Sequence, residues 1–147
     1  MTMAMAMEHS VLLNEFAVQA GGLIEIYAAG TDRDGWLRAF RALREAGYPV
    51  VVTDNESGAV AVGSQMFEEF NGRYSVAVSV GRQIWTATMH APDVIDLQGD
   101  PRDVTSSGDL DDVLQLMRRL HEALGRPVIL VPETLNYESI EPYVTVP

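Results

Sequence analysis

The stretch YSVAVSVGRQIWTATMH, residues 74–90, decides the fold of this chain. Two runs that alternate between apolar and polar residues flank Gly81-Arg82, and a glycine in the first position of a two-residue loop is typical of a β-hairpin. This turn fixes the register, because a shift by one residue would exchange the two faces of the hairpin. The apolar face, which we predict to lie on the core, pairs Val80 with Gln83, Val78 with Trp85, Val76 with Ala87 and Tyr74 with Met89. The small, polar face pairs Ser79 with Ile84, Ala77 with Thr86, Ser75 with Thr88 and Arg73 with His90.

Two amphipathic helices are predicted, one before and one after this hairpin. The first is capped by Thr31 or Asp32 and ends at Gly47, and its apolar residues recur at helical spacing on one side. The second begins with acidic residues near Asp109 and ends at Gly125. The run VLLNEFAVQA, residues 11–20, is compatible with a strand or a short helix, and the helix is favoured.

Further strands are predicted at 23–29, 48–54, 59–63 and 128–131. Helices that are apolar on one side only are typical of helices lying on one face of a mixed or mostly antiparallel sheet. We therefore predict one α+β domain over residues 1–147, a two-layer sandwich of about five to six strands with two amphipathic helices on one face. Residues 1–10 are predicted to form a disordered N-terminus. Residues 132–147 are predicted to form a C-terminal surface arm with a short strand near 143–146.

Charge and composition exclude several classes of function. The 147 residues carry a formal net charge of −11 and include no cysteine and no lysine. The lack of cysteine excludes disulfides, thiolate metal sites and cysteine nucleophiles. The acidic balance disfavours binding to nucleic acid and to anionic membranes. The first ten residues lack the basic region of a signal peptide, and no apolar run reaches the length of a membrane span, so we expect a cytoplasmic protein.

The acidic stretch DVIDLQGDPRDVTSSGDLDD, residues 93–112, contains seven aspartates. Those at Asp109, Asp111 and Asp112 are explained by the first turn of the second helix, where the helix dipole favours acids. The four other aspartates of the stretch are Asp93, Asp96, Asp100 and Asp103. Gly99 and Pro101 argue against a continuous helix through this part of the chain. The spacing of these four aspartates does not match a calcium-binding loop. They are interpreted as a solvated loop or as a contact surface for a basic partner.

The sequence lacks the motifs that would indicate an enzyme. The three histidines, His9, His90 and His121, are far apart and form no metal-binding pattern. No nucleophile motif, phosphate-binding loop or dinucleotide fingerprint is present. A pair of His90 with Asp93 is conceivable as an acid–base couple, but no nucleophile accompanies it. We therefore expect neither catalysis nor a cofactor or metal.

Two passages suggest a class of function. Each passage is predicted to be a capped helix that leads into a strand. The first is GTDRDGWLRAFRAL (30–43), and the second is DLDDVLQLMRRLHEALGRPVILVPE (109–133). This layout resembles that of small bacterial immunity proteins, which protect against secreted polymorphic toxins. The resemblance implies a non-catalytic inhibitor that neutralises a basic toxin or effector. We predict that its contact surface comprises Asp93, Asp96, Asp100, Asp103, Glu133, Glu138 and Glu141.

Two alternatives remain open at this point. The first is a small-molecule-binding or sensor domain with a pocket between the helix at 109–124 and the hairpin at 74–90. That pocket would be lined by Tyr74, Trp85, Met89 and Met117. The second is an acidic chaperone for a secreted effector, for which a dimer and exposed apolar grooves would be expected.

Overall fold

The structure is a computed structural model that describes residues 4–5, 8–18, 22–61, 67–133 and 140–147. Its helices are α1 His9–Val18, α2 Arg33–Glu45 and α3 Ser107–Leu124, with a 3-10 turn at Pro101–Asp103. Its strands are β1 Ala4–Met5, β2 Ile24–Ala29, β3 Val50–Asp54, β4 Tyr74–Val80, β5 Gln83–Thr88, β6 Val94–Gly99, β7 Val128–Pro132 and β8 Val144–Val146.

All strands belong to one sheet, in the order β1-β8-β7-β2-β6-β5-β4-β3, and every neighbouring pair is antiparallel. The predicted α+β class is confirmed. The hairpin has the register that its turn predicts, with Val78 opposite Trp85 and Ser79 opposite Ile84. Apart from the half-buried Tyr74, the residues on its core face are buried, and their neighbours on the other face are at least partly exposed.

The helices cover one face of the sheet and enclose the core. The side chain of Asp32 caps α2 by accepting a hydrogen bond from the Gly35 amide at 2.7 Å. Gly125 ends α3 in the left-handed conformation, at a φ of 66°. Helix α3 packs against α1, α2 and β7, so its apolar side joins the inward residues of the strands in one hydrophobic cluster.

The sheet is larger than the sequence pattern predicts. It has eight strands instead of about five to six, whereas the helix favoured for residues 11–20 is confirmed as α1. The loop interpretation of residues 93–103 is wrong for 94–99, because these residues form the central strand β6 between β2 and β5. Conversely, the predicted strand at 59–63 is reduced to a single bridge between Val60 and Thr53, and residues 62–66 lie outside the described part of the chain.

Both termini contribute to the sheet where they are described. Ala4 and Met5 pair with Thr145 and Val144, which differs from the disordered N-terminus predicted for residues 1–10. The short strand predicted near 143–146 is confirmed as β8, but Val144 and Val146 are fully buried, so this part of the predicted arm at 132–147 is an inner strand and not a surface segment. Strand β8 is stabilised by burial of Val144 and Val146 on the helix side of the sheet, a tertiary effect that a local pattern does not contain.

Candidate functional site

The face of the sheet opposite the helices is open over β3, β4, β5 and β6. Its residues are mainly small or polar, and they are Thr53, Ser75, Ala77, Ser79, Thr86, Thr88, Asp96 and Gln98. Two apolar side chains stand out from this surface, Ile84 with 59% and Val51 with 43% of its area exposed. The eight described strands contain no arginine, and the chain has no lysine, so positive charge is confined to the helices and connections.

A shallow cavity of about 210 Å³ lies on this face where β5 and β6 meet. The pairing of Thr86 with Gln98 places Thr88 opposite Asp96, because the strands are antiparallel. The cavity is lined by Thr88, His90, Ala91, Val94, Asp96 and Gln98. It therefore combines a carboxylate, an amide, a hydroxyl and an imidazole with two small apolar walls.

The neighbouring strands β2 and β7 give the same face a different character. Glu25 and Val131 face each other there, and they are 2% and 0% exposed respectively. The Glu25 carboxylate accepts a hydrogen bond from Nε2 of Gln98 at 2.9 Å, and Tyr27 is paired with Asp96. The cavity thus lies at the boundary between a buried and an open region. Glu25 was not among the predicted site residues, and its only signal was being a lone acid within the apolar run LIEIYAA.

The four predicted contact aspartates are spread along β6 and the 3-10 turn that follows it. Asp93 lies at the start of β6, in a groove lined by Thr31–Asp34 and Pro92. Asp96 lies in the middle of the open face, whereas Asp100 follows the far end of the strand. Six residues of strand separate Asp93 from Asp100, a distance of roughly 20 Å. The suggested His90–Asp93 couple is not assembled in one cavity, because His90 lines the cavity of Asp96 instead.

Asp100 is engaged within the chain. Its carboxylate accepts a hydrogen bond from Nη2 of Arg102 at 2.6 Å, and this contact lowers the pKa of Asp100. Asp103 lies in the 3-10 turn beside it. Of the predicted acidic tail, Glu133 and Glu141 are exposed, and Glu138 lies outside the described residues. Among the four aspartates, Asp96 is the one that lines the open-face cavity.

The predicted pocket between α3 and the hairpin is filled by its own residues. Trp85, Met89 and Met117 are fully buried members of the hydrophobic core, and Tyr74 packs against it half-buried. The indole Nε1 of Trp85 donates a hydrogen bond to Oε1 of Gln83 at 2.9 Å, which satisfies its polar group inside the core. These side chains therefore stabilise the fold instead of lining a ligand cavity.

Asp109 is explained by the start of α3, as predicted. Its carboxylate accepts hydrogen bonds from Nη2 of Arg82 at 2.8 Å and from the amides of Thr105 and Ser106 at 3.1 and 3.2 Å. The Ser106 hydroxyl in turn accepts from the Asp109 amide at 3.1 Å, which completes a capping box. The pKa of Asp109 is lowered to about 2, mainly by the hydrogen bond from the Arg82 guanidinium and next by the hydrogen bond from the Thr105 amide. Asp109 thus joins the hairpin turn to the helix.

We expect Asp109→Asn to lower the free energy of unfolding at neutral pH by about 1 kcal/mol, because it weakens the cap and removes the ion pair with Arg82. The folded-state pKa of Asp109 is below its unfolded value, so this stabilisation is complete above the unfolded pKa and is lost as the pH falls towards about 2. The difference from wild type, measured by urea unfolding at several pH values, should therefore shrink in acid. Asp111→Asn, an equal charge change at an exposed site, is the control. Equal losses in both variants would contradict the prediction.

The described residues show neither a metal-binding cluster nor a helix that could span a membrane. They contain no group of three or more histidine, aspartate or glutamate side chains placed to hold a metal ion. None of their helices combines the length and the apolar character needed to cross a bilayer. Comparison of the chain with protein-family models, curated proteins and solved structures found no match.

Proposed function

We propose that this protein is a non-catalytic binding module that docks a basic protein on the open face of its sheet, and that it acts as an inhibitor or immunity protein for a basic toxin or effector. The observation that carries the proposal is this open face, a broad antiparallel surface to which the described strands contribute the partly exposed carboxylate of Asp96 and no arginine. Antiparallel sheets commonly leave one face exposed to solvent, and such a face is available to a partner.

Charge supports a basic partner. The net charge of −11 attracts cations from a distance, and a complementary surface accelerates association and disfavours wrong partners. Three carboxylates lie in the described strands, at Glu25, Asp54 and Asp96. Asp54 is already paired with Arg73 at 3.0 Å, and Glu25 is buried. Asp96 is partly exposed and lines the open-face cavity, so we assign it to meet a partner's positive charge.

The apolar residues of this face support a protein as the partner. Ile84 and Val51 are largely exposed beside hydroxyl-bearing residues. A protein interface usually combines a small apolar centre with polar groups that make hydrogen bonds across it. A strand surface of this kind offers both over an extended area, and its rigid backbone requires little ordering on binding.

The sensor alternative receives one favourable observation, the cavity at Asp96. Its volume of about 210 Å³ lies below the 300–1,000 Å³ that is usual for small-molecule pockets, and it is open to the surface. A cavity of this size suits one side chain of a larger partner better than a complete small molecule. The protein-binding proposal is therefore preferred.

The proposal is tested with immobilised wild-type protein and single variants exposed to a lysate of the native host at low and high salt. We expect a basic protein to be captured at low salt and weakened at high salt, because salt screens surface charges. Asp96→Arg and Thr88→Arg place positive charge on the open face and should abolish capture. Asp103→Arg adds the same charge in the 3-10 turn and should preserve it. The absence of any captured basic protein, or equal capture by all variants, would contradict the proposal.

A further inference from the structure

We infer that the cavity at Asp96 receives a single arginine side chain of the partner. This inference rests on the proposed function and specifies how the open face recognises its partner. It concerns only the cavity between β5 and β6, lined by Thr88, His90, Ala91, Val94, Asp96 and Gln98.

The polar groups of the cavity match a guanidinium. Arginine presents five N–H donors in a planar fork, and a carboxylate can accept two of them side by side. Oδ1 of Asp96 is buried, so the Asp96 carboxylate can accept an N–H of the fork at its other oxygen. The Thr88 hydroxyl, opposite Asp96 on β5, and the Gln98 amide oxygen, two residues further along β6, line the same cavity and supply further acceptors.

The shape of the cavity also favours arginine. Ala91 and Val94 form apolar walls, against which the aliphatic stem of a long cationic side chain can pack. A lysine ammonium is a compact and strongly hydrated charge, and it loses more by leaving water than the weakly hydrated guanidinium does. A partly buried, shallow site with several separate acceptors therefore selects the planar group over the point charge.

The charges argue against a second copy of this chain as the occupant. A second open face would bring another Asp96 and the same excess of negative charge, and the described strands would supply no arginine to the contact. Like charges placed together across an interface are unfavourable. Pairing of two open faces is thus unfavourable, and we assign the occupant as an arginine carried by a different, basic protein.

The inference is tested with N-acetyl-arginine-N-methylamide as the probe, titrated into the full-length, isotope-labelled protein and followed by NMR. We expect weak, saturable binding with amide shifts concentrated in residues 86–98. The equivalent citrulline compound, which has nearly the same shape but no charge, should bind at least ~10-fold more weakly, and the lysine compound should also be weaker. Asp96→Asn should reduce the affinity for the arginine probe at least ~10-fold, whereas Asp103→Asn should leave it unchanged.

Equal binding of the arginine and citrulline probes, shifts located elsewhere, or binding that survives Asp96→Asn would overturn the inference. The proposed function is judged separately by capture of a basic protein. If Asp96→Asn captures that protein as wild type does while Asp96→Arg and Thr88→Arg do not, the arginine inference fails even though docking of a basic partner on the open face stands. If the probe binds at the cavity but no basic protein is captured, the proposed function fails and the cation site remains.

Discussion

Trp85→Ala is expected to lower the free energy of unfolding by about 3–5 kcal/mol, whereas Ile84→Ala, one residue earlier, should change it by less than about 0.5 kcal/mol. The two side chains point to opposite faces of β5. Trp85 is 1% exposed within the core and its indole is hydrogen-bonded to Gln83, while Ile84 projects from the open face. Removal of the indole leaves a large cavity and an unpaired amide oxygen on Gln83, a buried residue.

The comparison is made by urea unfolding followed by circular dichroism, since the substitution removes one of two tryptophans that would report by fluorescence. A domain of this size is typically stable by about 5–15 kcal/mol, so Trp85→Ala should unfold at much lower urea. Ile84→Ala serves as the control for the register. If Ile84→Ala were the more harmful change, the hairpin would be paired with its faces exchanged.

The hairpin could be predicted from the sequence because its information is local. Gly81 occupies a position that requires a positive φ, and it has a φ of 58°. Once the turn is placed, the period of two assigns every side chain of β4 and β5 to a face. The two long helices were predictable for a similar reason, since their caps and apolar stripes lie within one segment of chain.

Strand β6 could not be recognised as easily, because aspartates dominate its appearance. Ile95 and Leu97 alternate with Asp96 and Gln98, which is the period of a half-buried strand. The flanking acids and Pro101 favoured a loop instead. The strand forms because β2, about seventy residues earlier, supplies a partner along its whole length, with Ile24 opposite Gly99 and Ala29 opposite Val94. Such non-local pairing is absent from a single-sequence pattern.

The position of the candidate site was also hidden by this error. Apolar residues on a hairpin and a helix can line a pocket or fill a core, and composition does not distinguish the two outcomes. Trp85, Met89 and Met117 proved to fill the core. The cavity lies on the opposite face, and its lining by both Thr88 and Asp96 depends on the pairing of β5 with β6. The predicted aspartate at position 96 remains a candidate contact residue, but its surroundings were not predictable.

Substitution of Gly99 by valine is the second change that we expect to lower the free energy of unfolding strongly. The register places Gly99 opposite Trp85, and a Cβ atom on Gly99 would lie 2.8 Å from the indole carbons Cε3 and Cζ3. That distance is far inside van der Waals contact, and the fully buried ring has no free space into which it can move. We therefore expect Gly99→Val to lower the free energy of unfolding by about 3 kcal/mol. The gain of up to about 1 kcal/mol from higher strand propensity and a less flexible unfolded chain is too small to offset the clash.

The cause of this loss can be isolated by combining Gly99→Val with Trp85→Ala. If the indole is the obstacle, valine at position 99 should be tolerated once the ring is gone, so the double variant should be more stable than the sum of the single losses implies, by about 1–3 kcal/mol. Gly108→Ala is the control for adding a Cβ to a glycine, because its nearest neighbour would be Ser106 Oγ at 3.8 Å and it lies in helix α3. That change should be neutral or stabilising. Strictly additive losses at positions 85 and 99 would show that the ring does not lie on Gly99, and the pairing of β5 with β6 that builds the candidate site would then be wrong.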